Sequence, residues 1–178
     1  MTRRRLVYAG YLLALGLWAL NTPLSAHTER DFHQTLTTVE IAALVTPSIV
    51  TISGDLGSGS GVILESSGVI VTNLHVVRDE SSLSIALSNG DIYDDVRVLD
   101  VDPRRDLALL KIKAFNLSTV GLGDSDDVEV GESVVLVGNP EGFDRTVSEG
   151  VISALRNDPA GYRVIQTSAP ASQGSSGG

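Results

Sequence analysis

Past its first residues, this chain of 178 residues carries its apolar side chains in short groups that alternate with polar ones, and no segment sustains a 3.6-residue period. "VILESSGVIVTN" reads as two strands joined at Ser66-Ser67-Gly68. "SLSIALSNGDIYDDVRVLDVD" alternates apolar with polar and carries Asn89-Gly90, a strong hairpin signal. "DLALLKIK" alternates again from Asp106, and "DVEVGESVVLVGNPEG", "RTVSEGVISALR" and "YRVIQTSA" supply three further candidates. Ile49 to Ile52 is a short strand, followed by "GDLGSGSG", read as a turn. The single helical reading is Val39 to Val45, a turn or two that Pro47 ends. Strands spaced roughly 8–12 residues apart, with Gly, Asn and Pro between them, predict an all-β sandwich or barrel. The pattern pauses near Phe115 to Leu122, which predicts a boundary there.

The first 26 residues follow another rule. "MTRRR" is basic, "LVYAGYLLALGLWAL" is an uncharged apolar run of 15 residues, and "NTPLSA" brings a Pro break and small residues. This is the three-part pattern of a secretory signal peptide, with cleavage expected after Ala26. A membrane span needs about 20 apolar residues, more than this run supplies. His27 to Thr38 is polar and reads as a loosely packed leader.

Composition narrows the class. Hydrophobic residues make up 42% and charged residues 20%, which suits a packed core. Formal charge is −9, and losing Arg3, Arg4 and Arg5 with the signal takes it to −12, so no nucleic-acid partner is expected. There are no cysteines, which excludes disulfides, thiolate metal sites and cysteine nucleophiles. An exported, acidic chain without disulfides points to a bacterial periplasm or extracellular space.

Three residues carry candidate chemistry, each ordinary by itself. His75 follows a strongly apolar strand in "VIVTNLHVV". Asp106 opens an alternating strand in "DPRRDLALLKI", where a carboxylate can be held partly buried. Ser176 sits between glycines in the terminal "GSSGG", a setting that permits an exposed hydroxyl on a tight turn beside backbone N–H groups. His27 and His33 lie in the polar leader without such context, and Asp100 and Asp102 do not open the "LALL" alternation. "GSGSG" at Gly57 to Gly61 lacks the Lys and the following helix of a phosphate loop and reads as a tight hairpin. "DSDD" at Asp124 to Asp127 lacks the ligand spacing of a calcium loop and reads as a solvated turn.

Taken in order, "GSGSGVILESSGVIVTNLHVV", "DLALLKI", "VGNPEG…TVSEGVISAL" and "QTSAPASQGSSGG" resemble the HtrA/Deg branch of trypsin-like serine proteases. The likeness covers Val39 to Gly178. It implies a double antiparallel β-barrel, with Val39 to Phe115 as the first barrel and Asn116 to Gly178 as part of the second. It also implies a serine endopeptidase in which Ser176 is the nucleophile, His75 the general base and Asp106 its orienter. The backbone N–H groups of Gly174 and Ser176 would form the oxyanion hole. No cofactor or metal is implied; the expected partners are polypeptide substrates, with unfolded proteins foremost, and a homotrimer for the full-length protein. Ser175 stands where the family usually has Asn, and "TSAPASQG" replaces a common T-D-A-A-I-N-P-G, both just before the nucleophile. The family's strands continue beyond the nucleophile motif, so the chain reads as truncated, and these 178 residues alone are expected to be inactive. Two other classes fit less of the pattern: a catalytically inactive protease-like chaperone or adaptor that binds unfolded polypeptides, and an all-β adhesive or carbohydrate-binding domain.

Overall fold

The computed structural model describes residues 36–138, 146–172 and 174–178. The segment read as a signal peptide, most of the polar leader and both of its histidines lie outside the described residues. Among those described, no helix is long and apolar enough to cross a membrane.

Helix α1, Thr38–Val45, opens on a capping box. The Thr37 hydroxyl accepts from the Glu40 N–H, and the Glu40 carboxylate accepts from the Thr37 N–H at 2.8 Å. The helix starts one residue before the predicted position. It closes at Val45, and Pro47 sits in the 3₁₀ turn Thr46–Ser48, where a missing N–H removes no α-helical bond.

Seven strands then form one antiparallel sheet: β1 Ile49–Gly54, β2 Ser58–Glu65, β3 Val69–Asn73, β4 Leu83–Ala86, β5 Ile92–Tyr93, β6 Arg97–Asp102 and β7 Leu107–Lys111. Their spatial order is β5-β4-β1-β2-β3-β7-β6, and the sheet curls into a half-barrel. A four-residue helix, α2 Leu74–Val77, follows β3 directly. Ile52, Ile63, Ile70, Ile85, Leu110 and Ile112 are fully buried inside the curl, so the β-branched residues that favour extended backbone also supply the core. A second antiparallel sheet holds β8 Ser133–Gly138, β9 Thr146–Asn157 and β10 Arg163–Thr167, with the twelve-residue β9 in the middle. It buries little beyond Val137 and Ile152. The whole is an incomplete trypsin-like double barrel.

Two local readings are corrected. Ser58 to Gly61 are strand, not turn: the reversal between β1 and β2 occupies only residues 55–57. The glycines there serve packing, since a Cβ on Gly61 would lie 2.9 Å from the Ile70 side chain and 3.0 Å from Ile52. In β6 the apolar alternation does not mark a buried face. A bulge between Val98 and Asp100 inserts Leu99, and Val98, Leu99 and Val101 are all exposed. Asn89-Gly90 behaves as read: Gly90 adopts φ +94° and Leu87 N–H donates to the Asp91 carbonyl at 2.8 Å.

The chain's last residues return to the first sheet. Gly177 has φ +87°, and a Cβ there would lie 2.1 Å from the Ser60 carbonyl oxygen and 2.3 Å from the Thr72 hydroxyl. Gly90 has a similar φ with nothing within 4 Å. Gly90→Ala is therefore expected to cost only the left-handed backbone penalty, about 1–2 kcal/mol. Gly177→Ala adds a backbone collision and should cost clearly more in urea unfolding of the full-length protein. Equal losses would contradict this docking. Ile70→Ala, which empties a fully buried site, should lose about 2–5 kcal/mol in the same measurement.

Candidate active site

Register brings His75 and Asp106 together. β3 and β7 are adjacent and antiparallel, with Asn73 opposite Leu107. Asp106, one residue before Leu107, therefore faces the start of α2, where His75 is the second residue. Asp106 adopts φ +56°, a left-handed conformation that Asp tolerates better than most residues. The bend serves two groups at once. The Asp106 carbonyl accepts from the Leu74 N–H at 2.9 Å and from Asn73 Nδ2 at 3.0 Å. Its carboxylate accepts from the His75 N–H through Oδ1 at 2.9 Å and from His75 Nδ1 through Oδ2 at 2.6 Å. The first N–H groups of a helix have no partner within it, and here a residue 31 positions away caps two of them while gripping the imidazole.

This grip fixes the chemistry of the ring. A carboxylate only accepts, so in the neutral ring the proton belongs on Nδ1 and Nε2 keeps its lone pair. Partial burial alone would raise the Asp106 carboxyl. The hydrogen bonds from the His75 ring and N–H, with the nearby charges of His75 and Arg78, outweigh it and hold the group below the usual carboxylate range. Asp102, the other nearby acid, is spent on its own turn, accepting from the Arg104 and Arg105 N–H groups and pairing with Arg105 at 2.8 Å. Asp100 accepts from the adjoining Val101 N–H.

Ser176 arrives from the other sheet. Its carbonyl accepts from the Ser60 N–H on β2 at 2.7 Å, and the carbonyl of Gly174 accepts from the Ser60 hydroxyl at 2.8 Å. Ser175, in the family's usual Asn position, is buried; its N–H donates to the Ser172 carbonyl at 3.0 Å and its hydroxyl lies 3.4 Å from the Ser172 hydroxyl. His75 and Ser176 line one open cavity, together with Leu56, Ser58, Arg78 and Gly174. The His75 side chain is 53% exposed, accessible to a large substrate. All three residues singled out in the sequence thus border or support one cleft. Ser60, Thr72 and Asn73 also organise it but were not singled out; their signal was their place in "GSGSG" and "TNLH", close to the candidate histidine. Among the described residues no group of His, Asp and Glu could hold a metal ion.

Known proteins resemble this chain in sequence and fold. A family profile described as a trypsin-like peptidase domain matches residues 59–178. A protein of Ectopseudomonas mendocina named "Probable periplasmic serine endoprotease DegP-like" is 42% identical over 123 residues, covering 67% of this chain and 26% of its own length. Serine endoprotease DegS of Haemophilus influenzae is 39% identical over 125 residues, covering 67% of this chain and 36% of its own. A solved structure of the HtrA-type protease AlgW with a decapeptide superposes with TM-score 0.72 at 28% identity, covering 80% of this chain and 54% of that one. The chain therefore spans about a quarter to a third of these curated relatives and about half of the AlgW chain. It belongs to the trypsin-like peptidase domain family, on its HtrA-type side.

Proposed function

We propose that the full-length protein is a serine endopeptidase of the periplasm or the extracellular space, exported by the segment 1–26 and acting on polypeptides. Ser176 is the nucleophile, His75 the general base and Asp106 the residue that orients it. The observation that carries this reading is the two-point hold of Asp106 on His75, which lines one cavity together with Ser176.

The reaction runs as follows in atoms. His75 Nε2 takes the Ser176 hydroxyl proton while Oγ bonds to the peptide carbonyl carbon. The carbonyl oxygen becomes an oxyanion, which the backbone N–H groups of Gly174 and Ser176 stabilise. The carbon–nitrogen bond breaks and His75 returns its proton to the leaving amine, leaving an acyl ester on Ser176. Water, deprotonated by His75, then releases the acid and restores the serine. Asp106 keeps its charge throughout, fixing the Nδ1–H tautomer and stabilising the imidazolium. The likeness to DegP-type and DegS proteins supports a part in quality control of unfolded proteins, and a trimer is the assembly we propose for the full-length enzyme.

Peptide hydrolysis by full-length variants tests these roles. Ser176→Ala and His75→Ala should each lower kcat by on the order of 10⁶, and the double variant by little more, because the pair acts as a unit. Asp106→Asn presents an amide donor to Nδ1 and should lose about 10⁴. Unchanged turnover in Ser176→Ala would remove the assignment, and a binding-only adaptor would show no turnover in the parent.

Acidity gives a separate check. A carboxyl held low in the folded state contributes stability that is fully present above its unfolded value of about 3.9 and disappears as pH falls through the lower folded value. The thermal-stability deficit of Asp106→Asn against the parent should therefore persist from pH 8 to 5 and narrow only below about pH 4. Narrowing already near pH 6 would contradict the depressed carboxyl.

A further inference from the structure

We infer that Ser60 is a positioning residue for the oxyanion-binding loop, acting through its hydroxyl on the Gly174 carbonyl; this rests on the peptidase reading above. Ser60 is fully buried on β2 and uses three groups at once. Its N–H donates to the Ser176 carbonyl at 2.7 Å, and its hydroxyl donates to the Gly174 carbonyl at 2.8 Å. Its own carbonyl accepts from the Thr72 hydroxyl at 2.7 Å. Thr72 is buried on β3, three residues before His75. A continuous chain of hydrogen bonds thus runs from the strand that leads into the base's helix to the loop that carries the nucleophile.

The loop's peptide planes explain why the hydroxyl matters. A trans peptide is planar, with its C=O and N–H pointing in opposite directions. The carbonyls of Gly174 and Ser176 both turn toward Ser60, while the intervening Ser175 carbonyl accepts from the Gly178 N–H at 3.0 Å. The peptide joining Ser175 to Ser176 is thereby held by a different partner from its two neighbours. Its N–H is the Ser176 donor of the proposed oxyanion hole. Any residue but proline at position 60 keeps the backbone bond to Ser176, whereas the bond to Gly174 comes from the hydroxyl. The Ser60 side chain therefore governs the tilt of the peptide that follows the Gly174 donor and precedes the Ser176 donor. Oxyanion stabilisation depends on donors fixed before the charge develops, so loosening that tilt falls on the transition state more than on substrate binding.

The test is steady-state peptide hydrolysis by the full-length parent and its Ser60→Ala, Ser60→Thr and Thr72→Val variants, with inhibition by a peptide aldehyde measured beside it. Ser60→Ala should lower kcat by roughly 10- to 100-fold, short of the roughly 10²–10³ lost when a donor is deleted outright, with KM within about twofold. Aldehyde affinity should fall in step with kcat, because the adduct carries the same oxyanion. Ser60→Thr should recover most of the rate. If Ser60→Ala does not fold, the near-isosteric Thr72→Val decides: it removes the hydroxyl that donates to the Ser60 carbonyl and should lower kcat while leaving KM in place. Folded Ser60→Ala or Thr72→Val with parental kcat and aldehyde affinity, or a loss confined to melting temperature or KM, overturns the inference. Absence of hydrolysis by the parent would instead remove the peptidase reading itself.

Discussion

The cleft exists because Asp106 bends. One left-handed residue between β6 and β7 turns its carbonyl toward the Leu74 N–H and its carboxylate toward His75, so a four-residue helix too short to be stable alone is capped from a neighbouring strand. Remove that bend and α2 loses two of its hydrogen-bond acceptors together. His75 would then sit on an exposed stub with no reason to hold one rotamer or one tautomer. Packing of Ile70, Leu110 and Ile112 beneath keeps β3 and β7 in the register that makes the contact possible.

The opposite wall is assembled by a different kind of force. Residues 174–178 are held by directional hydrogen bonds to Ser60 and by a glycine that lets two backbones approach closely. Buried polar networks of this sort contribute little net stability but specify geometry, because each unmade bond strands a desolvated group. A hydrophobic contact tolerates sliding by an ångström, whereas a pair of carbonyls aimed at one residue does not. The division would suit the proposed peptidase cleft, with apolar packing for the scaffold and polar bonds for the atoms that must meet.

Much of this was legible in the chain, and the limits have physical causes. Short alternating segments with turn residues between them carry the all-β character directly, and Asn89-Gly90 is a local signal that local chemistry can satisfy. His75, Asp106 and Ser176 gain meaning only as an ordered set within family motifs, since each alone is an ordinary residue. The role of Ser60 was not legible, because its partner Gly174 lies 114 positions away and a serine among glycines looks like a turn. The exposure of Val98, Leu99 and Val101 was hidden for another reason: a bulge changes which side a residue faces without altering the apolar pattern.

The central claim is that Ser176 is an activated hydroxyl and not merely a loop residue. Mass spectrometry of the full-length protein after treatment with a fluorophosphonate measures this most directly. The account predicts a single adduct on Ser176, lost in His75→Ala and absent from Ser175. No adduct on Ser176 in the parent, or an adduct formed equally fast without His75, would contradict it.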